Sequence, residues 1–264
     1  MAPEGALRQS PVYLLIQLLL ILFCGSAESV SAAENSRVSQ YLCPSTEVGA
    51  DPSRLRLPQS MAAPGETTVA QQLAYFRPER GSGVFGPKGW SCRAWSGSSG
   101  MLLLVTPKPL PPPYFPLPTV TGPAVLIQMT DGSDVGRFHL ALVAERLFPL
   151  LGHDIIDRVR EEHLINESSF STDPYPDDRL DYLSDRLAEY TTAAGKSGLG
   201  TDSLLEPSDL PIRGLTLLNP EVVADALTEF RIRLPPALNS VENAIIELET
   251  RCLQLRQGCR DLDD

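Results

Sequence analysis

Thr228-Glu-Phe-Arg-Ile-Arg-Leu234 is the stretch that decides the fold class of this chain. Its apolar and charged residues alternate with period two, so every second side chain falls on one face of an extended strand. Pro235-Pro236 ends the run, since neither proline can donate to a ladder. The pattern predicts a half-exposed strand with its charges in water, the ordinary situation in an antiparallel sheet with one wet face.

Working outward, three apolar runs read as further strands: Met101–Thr106, Ala124–Thr130 and Ile212–Leu218. Between them lie helical patterns. Residues 136–148 carry Phe138, Leu140, Ala141, Leu142, Val143 and Leu147, apolar nearly all round, which predicts a core helix broken by Pro149 and Gly152. Residues 154–164 have a one-sided stripe of Ile155, Ile156 and Val159. Asn239 with Glu242 three residues on makes a capping-box-like start to a last helix, striped by Val241, Ile245, Leu248, Cys252 and Leu255. Thr67 or Thr68 caps a short helix carrying Val69, Leu73 and Phe76 at i, i+4 and i+7. Residues 179–192 are ambiguous, with Leu180, Leu183 and Leu187 at helical spacing and Tyr190-Thr-Thr192 suited to a strand, to which the reading leans. Strands alternating only loosely with helices predict an α+β fold: one domain, a largely antiparallel sheet and packed helices.

The most unusual local chemistry is Gly81-Ser-Gly-Val-Phe-Gly-Pro-Lys-Gly-Trp-Ser-Cys-Arg-Ala-Trp-Ser-Gly-Ser-Ser-Gly100, which leads into the strand Met101–Thr106. Glycines this dense permit tight turns and close backbone approach. Trp90, Trp95 and Cys92 then read as pins, and the segment as a fold anchor or the floor of a binding surface, with Trp90, Trp95 and Arg93 as the candidate binding residues.

The N-terminus sets an expected compartment. Arg8 precedes the apolar run Val12–Phe23, and small residues follow to Ala33, the order of a signal peptide over residues 1–32, with Val30-Ser-Ala32 as the cleavage signature and Gly25-Ser-Ala27 as an alternative cut. A dozen apolar residues fall short of the roughly 20 a membrane helix needs, so no span is expected after cleavage. Export leaves Cys43, Cys92, Cys252 and Cys259, an even number with three possible connectivities. Cys43–Cys92 and Cys252–Cys259 are the expected pairs, the second because its short spacing favours local closure. Residues 33–66, with four spaced prolines, read as an extended arm that Cys43 ties down; residues 67–264 form the domain, with a proline-rich connector at 107–118.

Composition excludes one class outright. The 264 residues carry 22 Lys+Arg against 33 Asp+Glu, a net charge of −11, which lacks the basic footprint of a nucleic-acid binder. Letter matches to phosphate motifs also fail. Gly81-Ser-Gly-Val-Phe-Gly86 follows no strand and opens no helix, and Gly195-Lys-Ser197 has Tyr190 where a phosphate loop needs its first glycine. His153, Asp157 and His163 do not share a helix face, so no metal site or cofactor is expected.

One catalytic arrangement is conceivable. Gly97-Ser-Ser-Gly100 resembles a nucleophile turn without being GxSxG, and of the three histidines His139 follows closely on Asp131 and Asp134. An envelope serine hydrolase would use Ser98 or Ser99 with His139; the plainer reading of His139 is a buried histidine bonded to a neighbour. A thiol enzyme on Cys92 is set aside because pairing with Cys43 removes its thiolate.

The residues Gly83-Val84, Pro87-x-Gly-Trp-x-Cys92, Gly97-Ser-x-Gly100, Gly136-Arg-Phe138, Phe148-Pro149, Pro174-Tyr-Pro176, Glu189-Tyr-Thr-Thr192, Gly198-Leu-Gly-Thr201 and Arg233-Leu-Pro235 together resemble a family of exported bacterial proteins without assigned function. The chain departs from it at Ala193, where a proline is expected. The resemblance implies export and a single domain, and brings no catalytic residue. The expectation is therefore an exported, periplasmic or secreted, non-enzymatic protein that binds an envelope or extracellular partner through the surface around Trp90 and Trp95.

Overall fold

The computed structural model describes residues 37–45, 60–62, 67–79, 81–111, 116–133, 135–170, 175–219 and 226–254. The expected signal peptide and Cys259 lie outside them.

Two mostly antiparallel sheets and three longer helices pack as one α+β domain. The larger, seven-stranded sheet has the spatial order β5-β6-β7-β11-β10-β9-β8. Its strands are β5 (Ser91–Gly97), β6 (Gly100–Thr106), β7 (Ala124–Asp131), β8 (Asp178–Tyr182), β9 (Leu187–Thr192), β10 (Ile212–Asn219) and β11 (Ala226–Arg233). The smaller sheet runs β2-β1-β3-β4, from β1 (Arg37–Leu42), β2 (Ser60–Ala62), β3 (Leu73–Arg77) and β4 (Val84–Pro87). Its β1–β3 pair is parallel and its others are antiparallel.

The predicted half-exposed strand is the centre of the larger sheet and is buried on both faces. β11 lies between β7 and β10, and Leu227 through Arg233 are all buried. One face, with Phe230 and Ile232, meets the small sheet and α4 (Asn239–Gln254), in a core that also holds Phe76, Phe85, Ile245 and Leu248. The other face meets α2 (Gly136–Leu147) and α3 (His153–Glu161), through Leu140, Ile156, Tyr190 and Leu227. The alternation correctly specifies the two faces. It fails on what covers them, because three layers leave no wet face on a central strand.

Other expectations change for similar reasons. The helix predicted from Thr67 lasts only for α1 (Thr67–Ala70); Leu73 and Phe76 belong instead to β3. Pairing with β1 and β4 buries Leu73–Phe76, and that gain overrides an i, i+4, i+7 spacing. The glycine-rich segment is not only turns: Val84–Pro87 and Ser91–Gly97 are strands. The ambiguous residues 179–192 form the β8–β9 hairpin. A 3₁₀ turn at Pro236–Leu238 leads into α4, with Asn239 already helical, in place of the expected capping box.

Cys43, just after β1, is bonded to Cys92 on β5, so the predicted bridge links the two sheets. Its sequence separation of 49 makes the loop-closure contribution roughly 4 kcal/mol. Beside it the Ala94 N–H donates to the Pro44 carbonyl at 2.9 Å. Cys252 on α4 is also disulfide-bonded; its expected partner Cys259 lies outside the described residues. No helix among the described residues is long and apolar enough to cross a membrane.

Candidate functional site

Strand register aligns side chains in rows across the helix-covered face of the large sheet. One row runs Trp95, Leu102, Gln128, Glu229, Thr216; the next runs Arg93, Leu104, Leu126, Arg231, Gly214, Tyr190. Two opposite charges therefore sit side by side at the middle of a nearly apolar sheet. The Glu229 and Arg231 side chains are 3% and 1% exposed.

Their partners are specific. Arg231 Nη2 donates to Glu229 Oε1 at 2.7 Å, and Arg231 Nε donates to the Leu199 carbonyl at 3.1 Å. The other carboxylate oxygen, Oε2, lies 2.7 Å from Nε2 of His139 on α2. Tyr190 reaches toward this cluster because β10 has no side chain at position 214. A Cβ there would lie 2.3 Å from both the Tyr190 hydroxyl and its ring Cζ, so only glycine fits. One residue pair further along, buried Arg233 donates to the carbonyls of Gly122, Glu206 and Val120 at 2.9, 2.6 and 2.6 Å. It clamps two loops onto the sheet, which is a structural task.

The electrostatics follow from the contacts. Burial by itself pushes the Glu229 carboxyl up, but the Arg231 charge and the His139 hydrogen bond outweigh it and hold the group down at about 2. Burial pulls His139 down, yet the hydrogen bond and charge of Glu229 leave it above its ordinary value of 6.5. Glu229 is thus a fixed carboxylate, and His139 holds its proton more tightly than an ordinary imidazole. With Glu229 as acceptor, the neutral imidazole carries its proton on Nε2 and keeps a lone pair on Nδ1.

His139 is 31% exposed and opens onto a cleft of about 440 Å³. Trp95 and Leu102, with Leu117 and Val135 at the rim, give the cleft an apolar surface; Ser98, Ser99, Gln128, Thr130 and His139 supply the polar groups. The β5–β6 turn is held against α2 by a close contact. A Cβ on Gly136 would lie 3.1 Å from both Cβ and the carbonyl oxygen of Ser99, and the Asp131 N–H donates to that carbonyl at 3.1 Å. The size falls within the roughly 300–1,000 Å³ of small-molecule pockets. Among the described residues no cluster of three or more His, Cys, Asp or Glu is placed to hold a metal ion.

The structure brings together some of the sequence candidates and separates others. Ser98, Ser99 and His139 line one cleft, with Trp95 beside them. Trp90 and Trp95 do not meet. Trp95 is 5% exposed on the helix-covered face, whereas Trp90 packs against the opposite core with Cys92. Arg93 shares the Trp95 face of β5, since the two are an even number of residues apart. The carboxylate on His139 is Glu229, ninety positions away, and not Asp131, whose Oδ1 accepts from the Ser133 N–H and hydroxyl. Glu229 and Arg231 were the residues sequence reasoning missed as a site. Their signal is present, as charges spaced by two in a strand, but it marks a site only once both faces of β11 are known to be covered.

The class so defined is an α+β domain with a cleft backed by Trp95 and Leu102, beside a buried carboxylate bonded to a partly exposed imidazole. No protein-family model, no curated protein and no solved structure matches the chain.

Proposed function

We propose that this is an exported protein that binds a small amphipathic organic molecule in the cleft between the β5–β6 turn and α2. The observation that carries the reading is the cleft's composition: an apolar surface of Trp95 and Leu102, rimmed by Leu117 and Val135, with a few polar groups converging on a Glu229-held His139. Export is supported by the N-terminal signal pattern and by the Cys43–Cys92 bond. The seat differs from the surface expected around both tryptophans, because Trp95 on β5 belongs to one core and Trp90, just before β5, packs against the opposite one.

The chain has two tryptophans, so Trp90→Phe leaves Trp95 as the sole indole reporter. Titrating that variant with hexanoate, octanoate and their methyl esters is expected to change Trp95 fluorescence saturably for at least one probe. Val135→Arg, a charge at the exposed rim of the cleft, abolishes the change. Signals that never saturate, or that survive Val135→Arg unchanged, would reject the cleft as the binding seat.

A further inference from the structure

The buried polar cluster asks for more than a binding role. Two ionised groups sunk in a sheet cost several kcal/mol of desolvation even when paired, and an apolar pair of the same volume is often as stable or more so. Here the pair is also aimed: Glu229 spends one oxygen on Arg231 and the other on the one histidine that lines the cleft. A carboxylate that fixes an imidazole by one nitrogen leaves the second as a base, and three parts of such a device recur wherever a hydroxyl is used as a nucleophile.

The hydroxyl is within the same cleft. Ser99 packs against Gly136 in the first turn of α2, and His139 stands one turn further on. Helical side chains lean toward the N-terminus, so the His139 ring leans over the turn that Ser99 touches. Ser99 makes no side-chain hydrogen bond among the described contacts, and catalytic hydrogen bonds commonly tighten only in the substrate complex. Gly136 is required for this approach, because a Cβ there would also lie 2.3 Å from the Asp131 carbonyl oxygen.

We infer that Ser99, His139 and Glu229 form a hydrolytic site for carboxylic esters with a compact apolar acyl group. The acyl class follows from the apolar lining, Trp95 and Leu102 with Leu117 and Val135 at the rim. Ser99 Oγ attacks the ester carbonyl carbon while Nδ1 of neutral His139 takes the hydroxyl proton. The new Oγ–C bond forms, the C–O bond to the alcohol breaks, and the His139 proton passes to the departing alkoxide oxygen. A water molecule, deprotonated in turn by His139, attacks the acyl carbon, the acid leaves, and Ser99 recovers its proton. Ser99 and His139 are the catalytic residues. Glu229 is a positioning residue that orients His139 and stabilises its imidazolium.

The test uses the purified mature chain with p-nitrophenyl acetate, butyrate and hexanoate, plus a fluorophosphonate probe mapped by mass spectrometry. The expected result is probe attachment at Ser99, and ester hydrolysis that falls at least 100-fold in both Ser99→Ala and His139→Gln. Glu229→Gln, where it folds, lowers kcat and moves the acidic limb of the pH–rate profile to lower pH, which a merely structural role would not do. Labelling elsewhere, no labelling, or unchanged turnover in Ser99→Ala overturns the proposal. Saturable Trp95 fluorescence changes with no turnover would overturn it too, while leaving the binding reading intact.

Discussion

The two faces of β11 were built from one alternating heptapeptide and solve opposite problems. On the α4 side Phe230 and Ile232 enter a continuous apolar core, which near the small sheet also holds the buried Glu249, accepting the Phe85 N–H at 2.7 Å. On the α2 side Glu229, Arg231 and Arg233 are as deeply buried, and each has a dedicated partner. The first face behaves as packing, where shape and volume decide. The second behaves as wiring, where losing one partner strands another. The difference places the candidate site on the α2 face.

The largest expected effect separates these regimes. Arg231→Met leaves the Glu229 carboxylate buried beside His139 alone, and is expected to lose about 4 kcal/mol in urea denaturation. Glu229→Leu with Arg231→Met removes both charges and loses far less. A double variant no better than the single would show that the row is not acting as a pair. Next comes Phe230→Ala on the packing face, expected to lose about 3.5 kcal/mol through lost burial and a residual cavity. It should leave the His139 titration where it is.

Glu249 sharpens the comparison through pH. Burial raises its carboxyl to about 8, with the Phe85 N–H bond opposing only part of the rise. A carboxyl raised above its unfolded value of 4.5 binds more protons folded than unfolded, so stability falls as pH climbs from about 4.5 to 8. Glu249→Gln keeps an oxygen for Phe85 and removes the slope, so at pH 8 it is expected to be the more stable by roughly 3 kcal/mol. Glu229 has the opposite sign. Its carboxyl is depressed to about 2, so its contribution is present above 4.5 and disappears as pH falls toward 2. Equal pH profiles for Glu249→Gln and Glu229→Gln would contradict the assignment of the two carboxyls. The smallest effect is that of His139→Gln, about 1 kcal/mol from one charge-assisted hydrogen bond. Since the folded state raises the His139 value, this loss is full below 6.5 and fades as pH rises through the folded value.

Much of the architecture was legible because local patterns carry it. The period of Thr228–Leu234, the apolar run Ala124–Thr130, the stripe on residues 154–164 and the Cys43–Cys92 spacing all report short-range or covalent constraints. What the chain does with Leu73–Arg77 was not legible, because its strand state depends on pairing with β1 and β4. Ser98, Ser99 and His139 were visible as reactive residue types. Their shared cleft, and the Glu229–Arg231 pair that makes His139 more than a satisfied histidine, depend on a three-layer packing that brings α2 over β11. The separation of Trp90 from Trp95 was not legible, because Trp90 precedes β5 and its place against the opposite core is set by packing.

The central claim is that Glu229 holds His139 in a perturbed, fixed state at the edge of the cleft. Imidazole titration by NMR tests it, comparing wild type with Glu229→Gln in samples shown to be folded by amide dispersion. The account predicts His139 titrating above 6.5 in wild type and clearly lower in the variant. A His139 that titrates alike in both proteins would contradict it, and the buried charges of β11 would then be structural alone.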